Sequence, residues 1–358
     1  MVGSQGGGQR QVATIFDLLP DRRGPCGTER SPSMPTLFVA TIGGHLVELV
    51  EIAARLPRDG DDVRVWATQD HPQSRTLLAG ENVVYVPDVG LRDVPGVIRN
   101  LPVAHRLHRE HRFTRVVSTG SGTALGFLPY LAARGVSAHY VECATRLDGP
   151  SVTGNIMRFV PGVHLYTQWK RWAHGRWHYG GCVLDGFTAG PVAQPGVIRR
   201  AVVTVGTMPD FAFRSLFDAL APLLRPGGAL EVAQGAPVET LWQSGCTPVA
   251  DLGIEATPFV SSAELEAAIA AADLVVSHAG TGSSLTALGA GRFPVLAPRS
   301  AAAGEIGDDH QDVFARELEA RDLAIRRRPE QLTVDDLLLA STRRVTRPLT
   351  PEPFILRP

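Results

Sequence analysis

Val275-Val276-Ser277-His278-Ala279-Gly280-Thr281-Gly282-Ser283-Ser284 is the stretch that decides the fold. Leu274–Val276 is apolar and short, the length of the end of a buried strand. A loop of small residues follows, and Leu285–Ala290 then reads as helix. Strand, small-residue loop and helix start leave backbone N–H groups unpaired at the positive end of a helix dipole, which suits a phosphate. Gly280 and Gly282 remove the Cβ atoms that would hold a diphosphate away. Ser283 and Ser284 are suited to capping or to donating hydroxyls. A Gly-x-Gly of this kind also serves as an ordinary turn, so the rest of the chain must decide.

Working outward, strands and helices alternate on both sides. After the loop come a strand at Pro294–Ala297 and helices at Val313–Arg321 and Val334–Ala340. Before it stand a strand at Ala201–Val205, a helix at Arg214–Leu224, a strand at Ala229–Ala233 and a helix at Ala263–Ala271. An earlier series begins at Leu37–Ile42, turns at Gly43-Gly44-His45, and continues as a helix with Leu46, Leu49, Val50, Ala53 and Leu56 on one face. Strands at Val63–Ala67, Val83–Val86, Arg115–Ser118 and Ala138–Glu142 follow, with helices at Leu101–His111 and from Gly122 through Leu131. This rhythm predicts α/β architecture: two doubly wound parallel sheets facing across a cleft. The expected divisions are a disordered leader at 1–33, with Met34 as an alternative start, and a first unit at 34–185. A Gly- and Pro-rich linker at 186–198, a second unit at 199–342 and a tail or strap at 343–358 complete the division.

Composition bounds the function. Of 358 residues, 44% are hydrophobic and 20% charged, with a net charge of −1, which describes a globular chain without a global pull toward nucleic acid. The four cysteines, Cys26, Cys143, Cys182 and Cys246, are scattered, which argues against a zinc site and a disulfide framework and suits a reducing compartment. Neither a spanning apolar run nor a signal core is visible, so a cytoplasmic protein is expected, in contact at most with the inner face of the membrane.

His278-Ala-Gly-Thr-Gly-Ser, Gly291-Arg-Phe-Pro-Val-Leu-Ala-Pro-Arg299, Gly304-Glu-Ile-Gly-Asp-Asp-His-Gln311 and Phe314-Ala-Arg-Glu-Leu318 resemble the donor half of GT-B glycosyltransferases. The nearest likeness is to the catalytic subunit of the two-component N-acetylglucosaminyltransferase that extends dolichol-linked sugar, and to its bacterial exopolysaccharide counterparts. Gly43-Gly44-His45, Val117-Ser-Thr-Gly-Ser-Gly122, Tyr140-Val-Glu142 and Arg146-Leu-Asp-Gly-Pro-Ser151 resemble the accepting subunit. The chain thus looks like a fusion of the two, in the order also found in the peptidoglycan lipid-intermediate N-acetylglucosaminyltransferase. The resemblance covers about residues 36–325. It implies a UDP-sugar donor and a lipid-linked or small-molecule sugar acceptor.

Within that frame the residues take expected roles. Gly280, Thr281, Gly282 and Ser283 hold the diphosphate by N–H groups and helix dipole, without a metal or other cofactor, since no Asp-x-Asp stands at a strand end. Asp309 and Gln311 hydrogen-bond sugar hydroxyls, or Asp308-Asp309 caps the following helix. The resemblance places uracil near Phe259, which alternatively is a core residue, and brings Gly206, Thr207 and Gln234 to the donor. The carboxylate that the peptidoglycan enzyme uses on the ribose falls at Thr286. His45, at a strand exit and a helix start, is the candidate general base, or it merely contacts phosphate. Glu142 orients His45, acts as base itself, or pairs with Arg146. His278 shapes the phosphate loop. Gly43, Gly44, Gly120, Ser121, Gly122 and Arg146 form the acceptor side.

Two further groups have open readings. Arg106, Arg109, Arg112 and Arg115, with His105, His108 and His111, suit lipid headgroups or a solvated helix face. Trp169, Trp172 and Trp177 suit a membrane-interface patch or burial between units. The reading that follows is an inverting UDP-sugar glycosyltransferase. A UDP-sugar 2-epimerase of the same architecture and a non-catalytic UDP-sugar-binding protein are the alternatives.

Overall fold

The computed structural model describes residues 35–57, 62–90, 92–192, 196–206 and 211–357. The expected leader, part of the expected linker (193–195) and Thr207 lie outside the described residues.

The first unit has strands β1 (Thr36–Ala40), β2 (Arg64–Thr68), β3 (Asn82–Tyr85), β4 (Arg115–Gly120), β5 (Ser137–Val141), β6 (Val163–Thr167) and β7 (Trp177–Tyr179). They form one parallel sheet in the order β3-β2-β1-β4-β5-β6-β7. Its helices are α1 (Gly44–Arg55), α2 (Pro72–Leu77), α3 (Val94–His111), α4 (Gly122–Ala132) and α5 (Val152–Met157). A short strand β8 (Thr188–Ala189) leads out of it.

The second unit has strands β9 (Arg200–Thr204), β10 (Glu239–Gln243), β11 (Ala256–Thr257), β12 (Leu274–His278), β13 (Val295–Ala297) and β14 (Ile325–Arg326). These are parallel in the order β11-β10-β9-β12-β13-β14. Its helices are α6 (Arg214–Leu224), α7 (Ala229–Gln234), α8 (Ser262–Ala271), α9 (Thr281–Gly289), α10 (His310–Ala320) and α11 (Val334–Ser341). Both sheets reverse direction beside their first strand, between β1 and β4 and between β9 and β12. Crevices open at such switch points, outside the carboxyl ends of the strands. The four loops that leave these strands carry Gly43, Gly120, Gly206 and Gly280.

The central strands read as continuous apolar runs because both faces are covered: β1 is buried at every position. Helix α1 is buried nearly all round, beyond its apolar face. The polar residues on its other side therefore have partners. Glu51 takes two bonds from Arg347, at 2.7 and 2.9 Å. Arg55 donates to the carbonyls of Glu352 and Cys182.

One element differs in kind from expectation. Ala229–Gln234 is helix α7, not strand. Gly228 precedes it, and Gly235 (φ +66°) ends it in the left-handed conformation that a helix C-terminus favours. Glu231 fixes both ends by accepting from Gly227 N and Val238 N, each at 2.7 Å. Ala, Leu, Glu and Gln are good helix formers, and those local preferences decide over the apolar pattern.

The last segment is a strap. Strand β15 (Val345–Thr346) pairs antiparallel with β8. Beyond it the chain returns to the first unit, where Phe354 N donates to Arg55 O, Ile355 N to Gly180 O and Arg357 N to Tyr166 Oη. Phe354 is 1% exposed and fills the space beside Gly180 and Gly181 that side chains there would occupy. No helix of the described residues is long and apolar enough to cross a membrane. Phe354→Ala is expected to cost about 3 kcal/mol as a cavity-forming truncation. The fall in the urea midpoint measures it, and an unchanged midpoint means the strap is not anchored there.

Candidate active site

Helices α1 and α9 meet N-terminus to N-terminus. A Cβ on Gly44 would lie 3.2 Å from Gly282 N, and one on Gly282 would lie 3.3 Å from the Cα and N of Gly44. Neither helix has a side-chain cap on its first N–H groups. Gly43 precedes α1 at φ +87°, a conformation that favours glycine. Its N–H and that of Ile42 are already taken by the side-chain oxygens of Gln73 (2.6 Å) and Gln69 (3.0 Å).

His45 is half-buried beside this contact. Its Nδ1 lies 2.9 Å from Thr119 O, while Thr119 Oγ1 donates back to His45 O at 2.6 Å. Only a protonated Nδ1 can donate to a carbonyl, so Nε2 carries the lone pair. Burial lowers the imidazole pKa, the Thr119 bond partly offsets this, and the charge of Arg146 lowers it further. The neutral, base-competent ring results. Gly120 (φ +106°) lies directly beside it. Ser121 Oγ bonds Thr41 Oγ1, and Gly122 is glycine because a Cβ there would stand 2.5 Å from Val89 Cγ1.

On the second unit the His278 ring is clasped between glycines. A Cβ on Gly206 would fall 2.7 Å from its Cε1, and one on Gly280 would fall 2.3 Å from its Nε2. Its Nδ1 has no hydrogen-bond partner among the described residues. Gln311, 2% exposed, accepts from Arg299 N at 3.1 Å. Asp309 Oδ1 accepts from Ala301 N at 3.1 Å and makes no side-chain cap to α10, although it stands at the capping position. Asp308 bonds His310, and it also pairs with Arg146 of the first unit at 3.1 Å.

The structure thus gathers Gly43, Gly44, His45, Gly120, Thr281 and Gly282 at one point, with Gly206, His278 and Gly280 stacked behind. Other expected residues are placed elsewhere. Gln234 sits at the opposite end of the second sheet, where it exchanges hydrogen bonds with Ile198 ahead of β9 at 2.9 and 3.0 Å. The expected approach of Gln234 to a donor fails because its segment is helical. Phe259 is 54% exposed after the edge strand β11, not core. Glu142 bonds neither His45 nor Arg146. Its carboxylate accepts from Ser151 N (2.9 Å), Ser151 Oγ (3.0 Å) and Cys143 N (3.1 Å), so it pins the loop that follows β5. Trp169, Trp172 and Trp177 are buried, at 5–7% exposure, which removes the membrane-interface reading. Arg106, Arg109 and Arg112 are exposed, as on a solvated helix face.

Two site residues escaped the sequence reading. Glu48, one turn after His45 and fully buried, accepts from Cys143 Sγ (3.2 Å) and Ala144 N (3.0 Å). Burial raises its carboxyl pKa well above the ordinary range. Cys143 also lies 3.7 Å from Thr281 Oγ1 across the cleft. The His45–Glu48 spacing on one helix face was the available signal. His45, Glu48 and Cys143 are the described residues with donor atoms close enough to hold a metal ion.

Two doubly wound units that oppose their switch-point loops define the GT-B architecture, and with the second unit's sequence they place the chain among the glycosyltransferases. Residues 201–350 match the glycosyltransferase family 28 C-terminal domain. No curated protein is significantly similar to the chain in sequence. Among solved structures, Acinetobacter baumannii MurG superposes with a TM-score of 0.50 at 17% identity, over 85% of this chain and 88% of that one. The glycosyltransferase SnogD from Streptomyces nogalater gives 0.51 at 20%, over 86% and 91%. The spinosyn forosaminyltransferase SpnP gives 0.52 at 18%, over 85% and 88%. At these identities the likeness is one of fold.

His278 supplies a pH test of the site. Burial, aided by Arg299, lowers its pKa to about 3. The unfolded chain takes up this proton near pH ~6.5 and the folded chain refuses it. The resulting stability is complete above that pH and is lost as pH falls toward about 3. His139, also lowered to about 3, acts in the same sense. His278→Gln is expected to flatten the drop in urea midpoint between about pH 7.5 and 5. An equally steep drop would show that the ring is not held neutral.

Proposed function

We propose that the chain is a UDP-sugar-dependent glycosyltransferase that inverts the anomeric centre, stabilises its leaving group without a metal, and passes a hexose or N-acetylhexosamine to a polyprenyl-diphosphate-linked sugar. The observation that carries this reading is the head-to-head meeting of α1 and α9, with a neutral imidazole beside the glycine contact. Parting of Gly44 and Gly282 admits the donor. Backbone N–H groups at the start of α9 then face the diphosphate, and the helix dipole offsets charge that grows on it as the bond to the sugar breaks. The acceptor oxygen attacks the anomeric carbon from the opposite face, its proton passes to His45 Nε2, and UDP leaves. The uncharged clasp on His278 keeps the α9 loop in shape. The fusion likeness assigns the first unit to the acceptor, and the loop pinned by Glu142 carries Arg146 to that side.

A lipid-linked acceptor is supported by the surface of the first unit. Helix α3 exposes Val94 (65%), Ile98 (56%) and Leu101 (36%), and α5 with its exit exposes Val152 (69%), Ile156 (46%) and Phe159 (73%). Each set follows the i, i+4, i+7 spacing of one helical stripe. Exposed apolar stripes on two helices that both pack on α4 suit peripheral contact with a membrane.

A panel of UDP-sugars, with a short-chain polyprenyl-diphosphate sugar as acceptor, tests the reaction by mass spectrometry. UDP release should require acceptor. A C2-inverted UDP-sugar formed without acceptor would establish the epimerase instead, and UDP binding without turnover would establish the binding protein. His45→Ala is expected to lower kcat by roughly 10²–10⁴-fold. The acid limb of kcat/KM should lie below about pH 6.5, because a base whose pKa is lowered stays unprotonated to lower pH. Ile98→Asp with Phe159→Asp should abolish flotation with anionic vesicles while transfer to a soluble acceptor persists. Flotation that survives the pair of changes removes the membrane part of the proposal.

A further inference from the structure

His45 and Glu48 lie three residues apart on one face of α1, and the loop after β5 brings Cys143 against them. A ring nitrogen of His45, a carboxylate oxygen of Glu48 and Cys143 Sγ lie within 4.8 Å of one another. Glu48 takes hydrogen bonds from Cys143, Ala144 N and Gln168 Nε2, all of them neutral donors. Its neighbour on the helix, Glu51, is by contrast paired with Arg347. A fully buried carboxylate next to a thiol and an imidazole, with no cationic side chain bonded to it among the described residues, has the composition of a metal site.

We propose that His45, Glu48 and Cys143 bind a borderline-soft divalent cation, with Zn²⁺ as the fitting example. One nitrogen, one oxygen and one sulfur are all within zinc's ordinary ligand set, and a tetrahedral zinc holds such atoms about 3.3–3.8 Å apart. The Sγ to Oε1 distance is 3.2 Å, so coordination asks for small side-chain adjustments. The supporting bonds are already present. His45 Nδ1 donates to Thr119 O, which leaves Nε2 free for the metal, and Ala144 N holds the Glu48 carboxylate. On binding, the Cys143 thiol and the Glu48 carboxyl release the protons they hold to solvent, and the resulting thiolate and carboxylate balance the two positive charges. The fourth position faces the cleft, open to water or to Thr281 Oγ1, 3.7 Å from the sulfur. The three protein ligands all come from the first unit, so the site forms whether or not the units are closed.

The ion uses the lone pair of Nε2 that a proton transfer needs. Metal binding and transfer therefore exclude each other, and Zn²⁺ acts as an inhibitor. That consequence rests on the reading of His45 as base, whereas the binding itself does not.

The test uses the metal-stripped full chain and no sugar. Titration with Zn²⁺ is followed by calorimetry, and titration with Co²⁺ by the thiolate-to-cobalt charge-transfer absorbance. Expected are one ion per chain at this site, affinity lower by at least about tenfold in both Cys143→Ser and Glu48→Gln, and loss of the charge-transfer band in Cys143→Ser. Circular dichroism establishes that each variant is folded. Unchanged Zn²⁺ affinity in both folded variants, or a Co²⁺ spectrum of the parent chain without a thiolate band, overturns the site. A chain that transfers sugar but ignores Zn²⁺ loses this inference alone, and one that binds Zn²⁺ but turns over no UDP-sugar loses only the proposed reaction.

Discussion

Two helix N-termini face each other with only hydrogen atoms where side chains would stand. Gly44 and Gly282 allow the backbones to touch, and this contact sets the spacing of the two units. It is electrostatically unfavourable by itself. Two poles of about half a charge each, roughly 5 Å apart, repel by roughly 1 kcal/mol at an effective dielectric near 20. An anion between or beside the poles reverses the sign of that term. The contact is therefore one that a diphosphate strengthens and that an empty cleft weakens. The glycines that permit it leave no apolar area to hold it shut.

Two ionisable groups beside the first unit's loops, Glu142 and His45, each have specific partners. Glu142 accepts from Ser151, Cys143 and Tyr140, so it fixes the loop after β5 and does not turn His45. The imidazole is oriented by a backbone carbonyl instead. This division has a chemical logic. A carboxylate on Nδ1 would favour the imidazolium and raise the pKa, whereas a carbonyl fixes the tautomer with less bias toward the charged ring. Burial then keeps the ring neutral.

The fold was legible in the sequence because most of its strands are short apolar runs that end at small residues. That rhythm predicts two doubly wound parallel sheets, and the structure supplies their strand order, which puts Gly43, Gly120, Gly206 and Gly280 at two switch points. What sequence reading missed has physical causes. Ala229–Gln234 is apolar enough for a strand, but its helix formers and the left-handed Gly235 make it a helix, which carries Gln234 to the wrong end of the sheet. Glu142 could be placed at a strand exit, but its partner Ser151 lies nine residues on, in a loop without periodicity. Cys143 and Glu48 are 95 residues apart, so their contact has no signature in residue spacing. Residue spacing finds ligands that share one element, and it cannot find those that a sheet brings together.

The units are linked at the chain crossings and again across the cleft. The strap buries Phe354 against Gly180 and Gly181 and carries the Arg347–Glu51 pair. The two chain crossings are joined to each other, since β8 lies on the way out of the first unit and β15 on the way back. Across the cleft the units meet at the α1–α9 glycine contact, where α2 packs on α8, at Cys143–Thr281, and at Arg146–Asp308, whose side chains are 35% and 48% exposed. An exposed pair of that kind contributes about 0–1 kcal/mol. Rotation about the β8–β15 side keeps the two crossings joined while the loops separate. Such a motion parts Gly44 from Gly282 and Cys143 from Thr281 together, while His45, Glu48 and Cys143 remain assembled on the first unit. The cleft can thus open to exchange a charged ligand without dismantling the groups that orient the imidazole.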